Sequence, residues 1–133
     1  MVRPLLLRPR LGRVAAAGLC AASLALAQAT PAAAAEKKVS FSFTYRMYST
    51  TWAQRAGKLH IRFTRCWSQR EFHALLIRKK VGPDTKMEGH TVRCVPHRRA
   101  YFDAPVAGTY YFEFTKLNDG EPIRGNATVT FPR

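Results

Sequence analysis

Cys66 and Cys94, His90 and His97, and the pair Glu71 and His73 are the residues of this 133-residue chain whose types and spacing could do chemistry. His90-x3-Cys94-x2-His97, with Cys66 more distant, offers four side chains of the kinds that zinc accepts. The spacing is not that of a zinc finger, and thiols of an exported protein oxidise. Cys66 and Cys94 therefore read as a disulfide, with His90 and His97 at the surface and no metal. Glu71 and His73 stand two positions apart and would share a strand face, with Ser68 nearby. A Ser–His–acid set needs a spatial arrangement that adjacency does not supply. The sequence has no G-x-S-x-G, no H-E-x-x-H and no Gly-rich phosphate loop. No catalytic residue is assigned, no cofactor is implied, and a protein that is not an enzyme is expected.

Charge carries the stronger signal. Lys and Arg total 22 against 8 Asp and Glu, a formal charge of +14. Lys58, His60 and Arg62 alternate along one face, while Arg78-Lys79-Lys80 and His97-Arg98-Arg99 form runs; Arg46, Arg55, Arg65, Arg70 and Arg93 add to them. Such a surplus creates a long-range, salt-sensitive positive potential that concentrates polyanions. Lys58, Arg62, Arg78, Lys79, Lys80, Arg98 and Arg99 are the expected contacts to phosphate or carboxylate groups, and Trp52, in a connection, the expected stacking residue. The competing reading is a charged surface that serves solubility alone. Trp67, next to Cys66, is expected in the core against the disulfide, and Tyr48 and Tyr111 fall on polar faces by parity.

The elements that must position these residues begin after a leader. Arg3, Arg8, Arg10 and Arg13 form a basic start without an acid, and Val14 to Ala27 is an uncharged stretch of 14 residues. That suits a secretory signal and is short of the roughly 20 residues of a membrane span. Ala33-Ala34-Ala35 fits the small-x-small cleavage rule and would release a chain starting at Glu36; Ala27-Gln28-Ala29 fits it too and would release Thr30. Cleavage after Ala35 is preferred, because the apolar alternation starts just beyond it. Leu19 before Cys20 argues against lipidation, and the absence of adjacent arginines argues against twin-arginine export. General secretion is the expectation, and the alanine-rich leader points to a bacterial protein. Residues 36–133 would form a single secreted domain with 18 basic residues against 8 acidic ones. No later stretch has the length of apolar sequence that a membrane span needs.

Period-2 alternation dominates this domain. Val39, Phe41, Phe43, Tyr45 and Met47 alternate with polar residues and predict one strand. Thr50 to Gly57 reads as a connection. Leu59, Ile61 and Phe63 make a second strand, Phe72 to Lys80 a third before the turn Gly82-Pro83-Asp84, and His90 to Val95 a fourth ended by Pro96. Arg99 to Asp103 is a short fifth. Tyr110, Phe112 and Phe114 lie on one face of the clearest strand, Asn118-Asp119-Gly120 signals a turn, and Ala127, Val129 and Phe131 face inward on the last. Six or seven short strands predict an all-β fold, a small antiparallel β-sandwich with one disulfide. Asn126-Ala127-Thr128 matches a glycosylation sequon by chance in a bacterial chain.

Pro105-Val106-Ala107-Gly108-Thr109-Tyr110-Tyr111-Phe112 and the hairpin after it resemble the C-terminal halves of extracellular β-sandwich modules, the bacterial pre-peptidase C-terminal type and immunoglobulin-like modules among them. The resemblance implies a non-catalytic accessory or binding module; it does not account for the two cysteines. In such an entry Gly108 would permit a tight turn, and the Tyr110 hydroxyl would reach back to nearby backbone. The functional expectation is a secreted cationic binding protein whose partner is an anionic polymer or cell surface such as cell wall or polysaccharide. The alternative is a secreted inhibitor or antimicrobial effector acting on a protein partner through its loops.

Overall fold

Alternating apolar residues divide the chain between two antiparallel sheets whose inner faces meet in one core. The computed structural model describes residues 33–133; the leader expected over residues 1–35 falls almost entirely outside the described residues. Nine strands follow one another: β1 (Ala34–Phe43), β2 (Arg46–Tyr48), β3 (Trp52–Gln54), β4 (Gly57–Arg65), β5 (Glu71–Lys79), β6 (Thr85–Arg93), β7 (Arg99–Ala104), β8 (Gly108–Thr115) and β9 (Ile123–Pro132). The first sheet runs β1-β9-β4-β7 and the second β2-β8-β5-β6, with β3 also on β8. The molecule is the expected all-β sandwich. The count exceeds six or seven for two local reasons. The run from Val39 to Met47 is two strands, because the chain leaves the first sheet after Phe43 and enters the second at Arg46, with Tyr45 exposed at the crossing. Thr50 to Gly57 is more than a connection, since it holds β3.

The core is aromatic. Phe41, Phe43, Phe63, Phe72, Phe112 and Phe114 are buried, and the Phe41 ring lies 5.9 Å edge-on from Phe63 while Phe72 lies 5.5 Å edge-on from Phe114. Edge-on and tilted pairs at these separations suit the ring quadrupoles and add to the gain from burial. Cys66 at the end of β4 and Cys94 just past β6 form a disulfide that ties the first sheet to the second.

Two expectations about Trp are reversed. Trp52 is 5% exposed: its ring packs 5.3 Å from Phe112 and 5.8 Å from Phe131, and its indole N–H donates to Gln54 Oε1 at 2.8 Å. A buried indole needs such a partner, and Gln54 supplies it two residues along the same strand. Trp52 is therefore a core residue and no stacking platform. Trp67 is 66% exposed, because the chain turns away from the core directly after the buried Cys66.

The Tyr110 hydroxyl does reach back, donating to Val106 O at 2.5 Å. Gly108 has no left-handed backbone; what it provides is space, since a Cβ there would lie 3.1 Å from Arg78 Nε. Gly120, at φ +78°, supplies the β8–β9 turn that Asn118-Asp119-Gly120 signals.

Candidate functional site: a cationic face on the first sheet

The outer face of the first sheet is assembled by register. Lys38 on β1 opposes Thr128 on β9, Thr128 opposes Arg62 on β4, and Arg62 opposes Arg99 on β7, so one rung crosses four strands. The next rung carries Glu36, Thr130, His60 and Tyr101. Lys58 follows, opposite Asp103.

Ladder phase brings Arg62 and Arg99 especially close. Phe63 N donates to Arg98 O at 2.9 Å, which makes Arg98, Ala100, Phe102 and Ala104 the β7-side residues bonded toward β4. Arg62–Arg99 is consequently a non-hydrogen-bonded pair, the kind with the shorter Cα separation of about 4.5 Å. Like charges directly opposite each other destabilise a sheet. An anion placed between them would offset that cost.

Arg98 and Arg99 are delivered by the β6–β7 connection. His97, at φ +66°, sits in the left-handed region, its N–H donating to Phe63 O at 2.6 Å while Arg98 N reaches Val95 O at 3.4 Å. This tight turn leaves both arginine side chains exposed. Beside them, on the open side of the sandwich between β6 and β7, lies a groove of about 510 Å³ lined by Arg93, Arg98, Arg99, His90, Tyr101 and Glu71. Tyr101 is 60% exposed and its ring lies 5.6 Å from that of His60.

Of the seven expected polyanion contacts, Lys58, Arg62, Arg98 and Arg99 gather here. Arg78, Lys79 and Lys80 are on the second sheet and the turn after β5. There Arg78 pairs with the buried Tyr110 and turns its Nε inward without a hydrogen bond, and Lys80 N donates to Asp84 Oδ1 at 3.3 Å. Alternation alone could not reveal this division, because it depends on β4 lying beside β7. Lys38 and Tyr101 were legible as outward residues of their strands, yet only the strand order makes them part of the face.

Among the described residues Glu36 and Asp103 lie on this face without forming an ion pair, and four other acids are held by other cations. Glu113 meets Arg46 at 3.9 Å, Glu71 meets Arg93 at 3.4 Å, Glu121 meets Arg70 at 3.4 Å, and Asp119 binds both Arg70 and Lys116. Among the described residues none of Lys58, Arg62, Arg98 and Arg99 makes an ion pair. Partial burial first, then the charges of Arg99 and Arg62, hold the pKa of His60 below the ordinary 6.5, against an opposing effect of Glu36.

Glu71 and His73 do share the outer face of the second sheet, but the Glu71 carboxylate is turned to Arg93 and Ser68 Oγ accepts from Arg70 N, so no proton relay links the three. The disulfide occupies both sulfurs of the possible zinc set. His90 contacts Glu88 at 2.8 Å, and its ring lies tilted 4.9 Å from that of Phe102, with the side chain still partly exposed.

Fold and face together define a disulfide-linked antiparallel β-sandwich with a cluster of basic side chains on the outer face of one sheet. No family model matches the chain, and no curated protein matches it. Solved structures similar to the chain include two of bacterial origin. One is PliG of Aeromonas hydrophila, a periplasmic inhibitor of g-type lysozyme, with 16% identity over 77% of this chain and 88% of that one, at a TM-score of 0.45. The other is the Yersinia pseudotuberculosis-derived mitogen, with 10% identity over 77% and 86%, also at 0.45. Likeness at this level carries no argument about function. Among the described residues no helix is long and apolar enough to cross a membrane.

Proposed function

We propose that this is an exported, non-catalytic protein that holds an anionic polymer, such as a wall polymer or acidic polysaccharide, along the outer face of its first sheet. The observation that supports this is the cross-strand pair Arg62–Arg99, flanked by Lys38, Lys58 and Arg98 and lacking a carboxylate partner. Tyr101 offers a ring face at the centre on which a sugar could rest.

The test compares two double variants of equal charge change. R62E/R99E weakens heparin binding at physiological salt by roughly tenfold or more, because it removes local contacts that displace counterions. K79E/K80E changes the net charge by the same amount and has the smaller effect. Equal losses would mean that only total charge matters and would reject the reading. His60 provides a second readout. Bound anions offset the field of Arg62 and Arg99, so its titration midpoint, followed by NMR, rises on adding heparin. Affinity correspondingly increases as pH falls below 6.5, where His60 gains a proton while sulfate groups stay charged.

Export fits cleavage after Ala29 better than after Ala35. Ala34 opposes Pro132, the half-buried Ala35 opposes Phe131, and Arg133 N donates to Ala33 O at 3.1 Å, so the later cut would delete these rungs. Intact mass of the exported protein should place Thr30 first; a chain starting at Glu36 contradicts this.

A second reading, a protein partner engaged through the loops, is favoured by the exposed Trp67 and by Leu117, which is 87% exposed. Arg70 pins the two loops together through Asp119, whose carboxyl is held at about 2, chiefly by Lys116. Capture of a partner that withstands high salt and is lost in W67A would support it; capture unchanged in W67A would exclude it.

A further inference from the structure

We infer that the free edge of β7 receives an extended acidic peptide of a protein partner as an added strand, a mode of binding distinct from polymer contact on the sheet face. β7 has β4 on one side only. The ladder phase set by Phe63 and Arg98 turns the N–H and C=O groups of Arg99, Tyr101 and Asp103 away from β4.

The third of these amides already has a partner within the chain. Asp103 N donates to Glu88 Oε2 at 2.9 Å, a carboxylate reaching over from β6. Glu88 thereby covers one rung. Such covering is how natural sheets protect their edges. The rungs at Tyr101 and Arg99 have no equivalent cover and open onto the groove of about 510 Å³ between β6 and β7.

Charge selects the occupant. Alternate side chains of an added strand point to opposite faces. One set would lie beside Arg99 on the outer face, and the other would enter the groove toward Arg93, Arg98 and His90. Glu71 is the sole acid in the groove lining, and Arg93 already holds it. A run of consecutive Asp or Glu residues therefore matches both faces, with backbone pairing at two residues of β7.

The experiment uses a labelled, N-acetylated and C-amidated pentaglutamate peptide, a copy N-methylated at alternate residues, and heparin. The parent peptide binds and slows hydrogen exchange at the Tyr101 amide. N-methylation preserves charge but deletes backbone donors and weakens binding at least tenfold. R98E weakens the peptide by a similar factor, and K79E/K80E changes it little. Absence of peptide binding, equal binding of the methylated copy, or unchanged exchange at Tyr101 overturns the inference. So does protection of that amide by heparin alone, which would assign the groove to the polymer. Because the readout is a single backbone amide, loss of heparin binding in R62E/R99E tests the sheet face separately.

Discussion

Replacing Cys66 and Cys94 together by alanine lowers the free energy of unfolding by about 3.5 kcal/mol, the chain-entropy value for the 28-residue separation. For a domain of this size that corresponds to a fall in melting temperature of roughly 15–25 °C, and it is a large share of the typical margin of about 5–15 kcal/mol. The bridge is inserted in a well-determined site. Both cysteines are fully buried, Cys94 N donates to Arg70 O at 2.8 Å, and Gln69 N donates to Cys94 O at 2.9 Å. These bonds hold the native geometry with or without the link, so the effect falls mainly on the unfolded chain. Function should suffer as well. The connection bearing Arg98 and Arg99 begins immediately after Cys94, and loosening it reduces heparin retention even where the fold survives. Calorimetry of C66A/C94A, beside the oxidised and reduced parent, checks this; a melting temperature within about 5 °C of the parent would refute the estimate.

Side-chain parity was readable wherever a strand was long enough to repeat it. Phe41 and Phe43, Leu59 to Phe63, and Tyr110 to Phe114 all face inward as their alternation requires. Parity failed where it was blind to pairing partners. The alternation from Val39 to Met47 is continuous, yet β1 pairs with β9 and β2 with β8, because nothing in a period of two records a change of sheet. Trp52 escapes parity because β3 is three residues long, too short to display a pattern, and its polar neighbour Gln54 is buried as the indole's acceptor. The cationic site was half readable. Arg62 and Arg99 are each outward by parity, but they are 37 positions apart, and their opposition is a fact of strand order. That order follows from closing the sandwich around the rings of both sheets, which is a collective property of the core.

Phe114 to alanine should be the most damaging single truncation in that core, at about 3–5 kcal/mol. Phe114 is fully buried on β8, the strand to which β2, β3 and β5 all pair, so its backbone has little freedom to collapse into a void. Its ring touches rings from both sheets: Phe41 at 5.7 Å and Phe43 at 6.1 Å from β1, Phe72 at 5.5 Å from β5, and Phe112 at 5.8 Å on its own strand. Truncation removes the transfer free energy of the ring and four aromatic pairings, each contributing about 0.5–1.5 kcal/mol beyond area where geometry is favourable. Phe114→Leu, which keeps most of the volume, should cost well under half as much. Chemical denaturation of both variants separates the two contributions: a leucine variant as weak as the alanine variant would show that ring geometry dominates, and an alanine variant within about 1 kcal/mol of the parent would show that the two sheets do not meet at this ring. The cationic face depends on this result, because β4 and β7 hold their register only while the aromatic layer beneath them keeps the sheets together.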